Sequence, residues 1–397
     1  MDNELESFDE FEDSDDEPTL NLDLSMMKQL ASSRLDRDCV KTCRLTRGAN
    51  SEIPLLQFDN GPDCIARLPR NSTNPATKLV CEVATMKYIA QNTKIKVPEV
   101  YDWDSITQSY KISIHLDGML TWTAFISVDI LFEIWTKCQF NEIGCLYMNS
   151  TQSKPVQEKT SYSRILTLFT SFEIGPIVNP LYYTEGRDVI HSFTGPFKSS
   201  REWLDALIQK EKGYFETHGV QDLITDEMNI SLADAEKRTS ELIKQLALLQ
   251  YKISEDNPFE SIDLPPFTLI HYDFDAQNIL VEHSSIDNTI KIVGIIDWEF
   301  SHTGTLWELC EYPIWIQDVE YEPFEFISHK ELQRNQENQG LRVHFRNEVI
   351  KIFGEKCGKI LDTKEKDRRI ERIEILFLSV HKFSMLERLL ECFIDLF

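Results

Sequence analysis

Along residues 39–70 apolar and polar positions alternate. CVKTCRLT, SEIPLLQF and CIARLP each carry the two-residue period of a half-buried strand, and Asp59-Asn60-Gly61 between the last two marks a hairpin turn. The period then lengthens. In KLVCEVATMKYIAQNT, Leu79, Val83, Met86 and Ala90 recur at helical spacing, just after the helix-starting pair Asn74-Pro75. KVPEVYDWD is extended, with Pro98 excluding a helix. The first third thus predicts strand–strand–strand–helix–strand, a small antiparallel sheet with one helix.

Residues 109–150 show no clear period, although TWTAFISVDILFEIW reads as a buried helix with Asp129 and Glu133 on its exposed side. From residue 160 onward helices dominate: SYSRILTLF, SSREWLDALIQKE, SLADAEKRTSELIKQLALLQ, GLRVHFRNEVIKIFGEKC and the final RRIERIEILFLSVHKFSMLERLLECFIDLF. Their apolar stripes are core faces. One stretch interrupts them. LIHYDFDAQNILV, followed by TIKIVGIID, reads as a β-hairpin entered through a polar loop. The expected fold class is α+β, with two lobes: residues 26–108 form the sheet lobe and 109–397 the larger, mainly helical one.

Composition refines this picture. A chain of 397 residues is long for one core and suits two lobes. The nine cysteines are scattered, with no CxxC pair, which points to free thiols in a reducing compartment. No run of 18 apolar residues appears, so no membrane span is expected. The N-terminal MDNELESFDEFEDSDDE has neither the apolar core of a secretory signal nor the arginines of a mitochondrial leader, and a cytoplasmic location follows as the expectation. Of the formal net charge of −25, a large share lies in residues 1–25, read as a disordered acidic tail. The remainder is still acidic. That argues against nucleic-acid binding and would suit a cationic small molecule.

The polar loop carries the chemistry. If NILVEH and TIKIVGII pair about a midpoint near residues 287 and 288, Asn278 falls roughly opposite Asp297. Asp273 lies five residues before Asn278, so three oxygen-bearing side chains converge at the open end of one hairpin. A hard cation such as Mg²⁺ takes oxygen ligands, a role that fits Asn278 and Asp297. Asp273 fits a carboxylate that orients a hydroxyl and accepts its proton. His271, on the strand leading in, is read as orienting the loop. The competing reading, strand-end aspartates that only cap turns, suits an isolated H-x-D better than this whole set.

HYDFDAQN (271–278) resembles the catalytic loop of the protein-kinase-like superfamily, and IIDWE (295–299) the metal-binding segment of aminoglycoside phosphotransferase-like enzymes. FNEIGCLYM, FEIGPIVNPLYY and GIIDWEFSHTGTLWELCEYPIWI are similar to the fungal branch that includes proteins called altered inheritance of mitochondria protein 9. The resemblance implies a kinase-like N-lobe in which Arg67 holds the place of the phosphate-contacting lysine and Glu82 pairs with it. It also implies a nucleotide-covering loop at TRGANSEI, with backbone groups from Gly48 to Ser51 facing phosphates. The implied activity is transfer from ATP, or another nucleoside triphosphate, to a hydroxyl of a small molecule, with Mg²⁺. The alternative is a pseudokinase with a binding or scaffold role, which the single glycine of that loop, the arginine at 67 and the absence of a recognisable hinge strand in 109–139 would suit. A protein kinase is disfavoured, because neither D-F-G nor A-P-E follows. Glu299, Glu308 and Glu311 either face a cation or serve the fold.

Overall fold

A computed structural model describes residues 24–47, 51–69, 77–104, 111–114, 119–120, 125–149, 171–226, 230–255, 265–284, 289–317 and 329–366. Helix α1 (Leu24–Leu35) precedes strands β1 (Cys39–Arg47), β2 (Ser51–Phe58) and β3 (Cys64–Pro69). Helix α2 (Lys78–Asn92), β4 (Val100–Trp103) and β5 (Lys111–Ile114) follow. The five strands form one antiparallel sheet in the order β1-β2-β3-β5-β4. Pro54, which has no N–H to give the ladder, sits where the β1–β2 register shifts. The alternation along β3 buries Cys64, Ala66 and Leu68 with α1's Ala31 in a small separate core, and turns Arg67 to the opposite face. The sheet lobe thus runs to Ile114, beyond residue 108, and includes a strand that the sequence reading did not find.

After β5 the chain passes to β6 (Met119–Leu120), α3 (Phe125–Lys137), β7 (Gln139–Phe140), β8 (Cys145–Met148) and β9 (Phe172–Gly175). The long helices α4 (Ser200–Asp226) and α5 (Leu232–Glu255) pack on each other. Next come β10 (Phe267–Ile270), the hairpin β11 (Ile279–Ser284) and β12 (Thr289–Ile295), β13 (His302–Gly304), α6 (Leu306–Leu309), α7 (His329–Phe353) and α8 (Glu355–Lys366). GLRVHFRNEVIKIFGEKC is therefore two helices. Gly354 adopts φ +85°, a left-handed stop that glycine takes without steric cost. Helix α3 forms within the predicted segment and packs Phe132 and Trp135 on Phe353 of α7; Glu133, expected on its exposed side, is half-buried and accepts from the Lys94 amide at 3.0 Å. The predicted helices over 161–169 and 368–397, the pair Asn74-Pro75 and residues 1–23 of the predicted tail lie outside the described residues; residues 24 and 25 of that tail belong to α1.

Three small sheets frame the polar loop. β10 pairs with β13 and β7, β11 pairs with β12 and β6, and β8 pairs with β9. The main core joins α2 of the sheet lobe to the helical lobe, with Trp298, Phe267, Leu269 and Ile279 at its centre. The eight described cysteines are all free, seven of them buried. No described helix is long and apolar enough to cross a membrane.

Candidate functional site

β10 delivers the chain into HYDFDAQN with Phe267, Thr268 and Leu269 buried, so the loop springs from a fixed strand. The loop then closes on itself. The Asp275 amide donates to the Asp273 carbonyl at 2.9 Å, and the Asn278 amide donates to the Asp275 carbonyl at 2.9 Å. Asn278 does not begin the strand as the pattern suggests; it ends a 3₁₀ turn, Ala276–Asn278. Its side chain is buried, and Nδ2 donates to the Asp273 carbonyl at 2.8 Å and to Asp273 Oδ2 at 3.0 Å. Both amide hydrogens are thereby used, which leaves Oδ1 as the atom able to ligate a cation.

The hairpin register sets Ile279 against Ile295, and the Ile296 amide donates to the Asn278 carbonyl at 3.0 Å. Asn278 thus faces Ile296, one residue short of Asp297: the strands pair with Ser284 against Thr289, a register that alone would set Asn278 opposite Ile295, and the bulge between Leu280 and Val281 advances it by one. The Ile296 carbonyl accepts from His271 Nε2 at 3.0 Å. His271 is buried against Trp298, ring centroids 4.5 Å apart, and burial holds its pKa below the ordinary value. A neutral ring with its proton on Nε2 follows, which suits a residue that ties the loop to the segment before Asp297.

Asp297 has φ +61°, a left-handed conformation more readily accepted by Asp and Asn than by most side chains. Its carboxylate is gripped by Arg67, Nη1 to Oδ1 at 2.8 Å and Nη2 to Oδ2 at 3.3 Å. Burial would raise the Asp297 pKa, but the guanidinium outweighs it and holds the group below the usual carboxylate range. Arg67 also donates from Nη2 to Glu299 Oε2 at 3.1 Å and from Nε to Ser51 Oγ at 3.1 Å. Ser51 is buried at the start of β2 and reaches the site through Arg67; Gly48 lies outside the described residues.

Glu82 is buried in α2, not on a helix surface. Arg67 Nη1 lies 3.5 Å from it, but its closer partner is Lys111 Nζ of β5. The expected Arg67–Glu82 pair is present, but Glu82 is shared with Lys111, and the shorter bonds of Arg67 go to Asp297, Glu299 and Ser51. Burial opposes ionisation of Glu82, yet Lys111 and Arg67 together keep its pKa low. The sequence reading missed two further residues. Lys111 faces Arg67 across the β3–β5 ladder, and Lys78 Nζ lies 2.8 Å from Glu299 Oε2. Lys78 precedes Glu82 by four residues, one helical turn, which was a readable signal. Lys111 could be found only once β5 was placed.

Of the three glutamates after Asp297, Glu299 does face cations, Arg67 and Lys78. Glu308 serves the fold: with Thr305 it forms the capping box of α6 and it accepts from His302 Nε2 at 3.2 Å. Glu311 is exposed. No cluster of three or more His, Cys, Asp or Glu with metal-binding geometry occurs among the described residues.

No protein-family model matches the chain. Curated relatives from two strains of the fungus Aspergillus fumigatus, both called subtelomeric hrmA-associated cluster proteins, are 23% identical to it over 304 residues. The match covers 66% of the chain but only 57% of the length of those relatives. Among solved structures, the chain is similar to the ADP-bound aminoglycoside phosphotransferase APH(2'')-Ib (12% identity, TM-score 0.48, covering 94% of this chain and 98% of that one). It is also similar to APH(2'')-IIa with streptomycin and ATP (12%, TM-score 0.47, 96% and 99%). A third is a Haemophilus somnus protein described as a fructosamine-3-kinase (12%, TM-score 0.42, 92% and 96%).

Proposed function

We propose that the chain is a phosphotransferase that uses a nucleoside triphosphate, ATP in the first instance, and Mg²⁺ to phosphorylate a hydroxyl of a small molecule. The observation that carries this reading is the meeting of Asp273, Asn278 and Asp297 at one end of the β11–β12 hairpin, with the Arg67 guanidinium across from it. The candidate ligand atoms, Asn278 Oδ1 and the Asp297 carboxylate, are all oxygen and one group is anionic, which fits a hard divalent cation. A guanidinium already neutralises that carboxylate, so the position accepts positive charge. Bound there, the cation would offset the negative charge of the transferring phosphates.

The chain's own groups do the rest. Asp273, its carboxylate oriented by Asn278 Nδ2, holds the acceptor hydroxyl and takes its proton. The hydroxyl oxygen bonds to the terminal phosphorus while the bond to the leaving diphosphate breaks. Arg67 steadies the phosphates once it leaves Asp297. His271 and the Ile296 peptide keep the two halves of the site in register, so positioning and charge stabilisation supply the rate. The formal net charge of −25 favours a cationic acceptor.

The test is a thermal-shift titration with ATP, with and without Mg²⁺, followed by acceptor screening. Wild type and Asp273→Ala should both melt higher with Mg·ATP, and only wild type should transfer phosphate. Turnover by Asp273→Ala at the wild-type rate would remove Asp273 from this role. The pseudokinase reading, carried by the single glycine of the 46–53 segment and the arginine at 67, is the alternative. Melting that ignores Mg²⁺ at every ATP concentration would favour it.

A further inference from the structure

We propose that Lys111 is the resident partner of Glu82, and that this arrangement makes Arg67 a mobile cation that exchanges the Asp297 carboxylate for a nucleotide's phosphates. The inference rests on the nucleotide-binding reading above and deepens it. Arg67 and Lys111 are directly opposite in the β3–β5 ladder, so both side chains leave the same face of the sheet. Both point at Glu82, but not equally. Lys111 is buried, in contact with Glu82 Oε1, and its Nζ lies 3.8 Å from Met86 Sδ. Arg67 stays 3.5 Å from Glu82 and spends its close bonds on Asp297, Glu299 and Ser51.

A buried carboxylate left without a cation is costly. Were Arg67 the sole partner of Glu82 and Glu299, its departure toward phosphates would strand both. Each has a second cation in place: Lys111 for Glu82 and Lys78 for Glu299. Asp297 is the carboxylate that Arg67 would abandon, and the one where an incoming divalent cation replaces it. Two cations on neighbouring strands thus divide the work. Lys111 anchors α2 through Glu82, and Arg67 moves.

Two double-mutant cycles test this, with two readouts. The first is melting without nucleotide. Lys111→Met should lower the melting temperature by roughly 5–10 °C, and adding Glu82→Gln should recover more than half of the loss. Adding Glu82→Gln to Arg67→Met should recover little. Equal or greater recovery on the Arg67→Met background overturns the assignment of Lys111. If Lys111→Met does not fold, the Glu82→Gln/Lys111→Met pair should, and its failure to fold counts equally against the proposal. The second readout is the Kd for Mg·AMP-PNP. Lys111→Met should weaken it about tenfold, because the unpaired Glu82 now captures Arg67, and Glu82→Gln should return it to within about threefold of wild type. A double variant that stays as weak as Lys111→Met would place Lys111 itself on the phosphates and overturn the proposal. A wild type that binds no Mg·AMP-PNP defeats the nucleotide reading and with it the movement of Arg67; the melting cycle still decides which cation holds Glu82.

Discussion

Replacing Asp297 by Asn tests the charge logic of the site most directly. Asn keeps the size of the side chain and tolerates the left-handed backbone at φ +61°, so the change removes charge while adding little strain. What is lost is the two-pronged bond with Arg67 at 2.8 and 3.3 Å. Breaking a fully buried pair costs about 3–5 kcal/mol. Here the side chains are 16% and 27% exposed, and Arg67 keeps Glu299 and Ser51, so about 2 kcal/mol is the reasonable expectation. For a chain of this size that is a fall of about 2–3 °C in melting temperature. The second consequence concerns ligands. Wild type in a hundredfold excess of Mg·ATP over Kd should gain about 2.7 kcal/mol. Asp297→Asn should lose the Mg²⁺-dependent part of that gain. It should keep or strengthen binding of metal-free ATP, because Arg67, Lys78 and Lys111 then face only Glu82 and Glu299. Differential scanning fluorimetry with ATP and either EDTA or Mg²⁺ reads all three effects. A variant that keeps the full Mg²⁺-dependent rise would refute Asp297 as the metal ligand. Unchanged melting without ligand would show that the Arg67–Asp297 pair contributes nothing to stability.

Asn278→Ala removes both restraints on Asp273, so transfer should fall by at least a hundredfold while melting drops by only a few degrees; near-normal turnover would show that Asp273 needs no such restraint. His302 is buried, which by itself lowers its pKa, but Glu308 outweighs this and raises it. Its stabilising contribution is then complete below the unfolded value near 6.5 and is lost as pH rises through the higher folded value. The melting gap between wild type and His302→Gln should therefore be widest at pH 6 and narrow toward alkaline pH, and a gap that widens instead would contradict the Glu308 pairing. At Gly144 an added Cβ would run into the Gly175 carbonyl oxygen and lie 2.6 Å from Ile174 Cγ2. Gly144→Ala should thus cost about 1–3 kcal/mol in chemical denaturation, and a neutral effect would mean that β8 and β9 separate easily.

The sequence made legible whatever has a local cause. The alternation along β3 and most of the period of α2 survive into the structure: β3 buries Cys64, Ala66 and Leu68, and α2 buries Leu79, Val83 and Met86 but leaves Ala90 exposed and buries Ile89 in its place. Asp273, Asn278 and Asp297 were readable for the same reason: one loop and one hairpin bring them together, and the pairing of Ser284 with Thr289, partly offset by the bulge at Leu280/Val281, makes Ile296 rather than Asp297 the facing residue. β5 was not readable. KISI spans four residues, too few to show a period, and it opens with a lysine that only tertiary contacts bury. β8 and β9, each also four residues long, failed likewise. The Arg67–Asp297 pair joins residues 230 positions apart, beyond any local pattern.

That long-range pair bears on whether the site works or only binds. A site drifting from catalysis has no need to hold Asp273 with two bonds from a buried asparagine, or to clamp the Ile296 peptide from both sides. These bonds orient Asn278 Oδ1 for a cation and also stiffen Asp273, which transfer needs and nucleotide binding alone does not. The Arg67 grip on Asp297 is compatible with both roles, because a guanidinium that neutralises a metal-binding carboxylate keeps an acidic pocket from carrying unbalanced charge. The two readings part at Asp273. If the chain only binds, Asp273→Asn should leave every ligand property unchanged, since an amide can still accept from Asn278. If it transfers phosphate, the same substitution should spare Mg·ATP affinity and lower kcat by at least a thousandfold, because the amide cannot take the hydroxyl's proton.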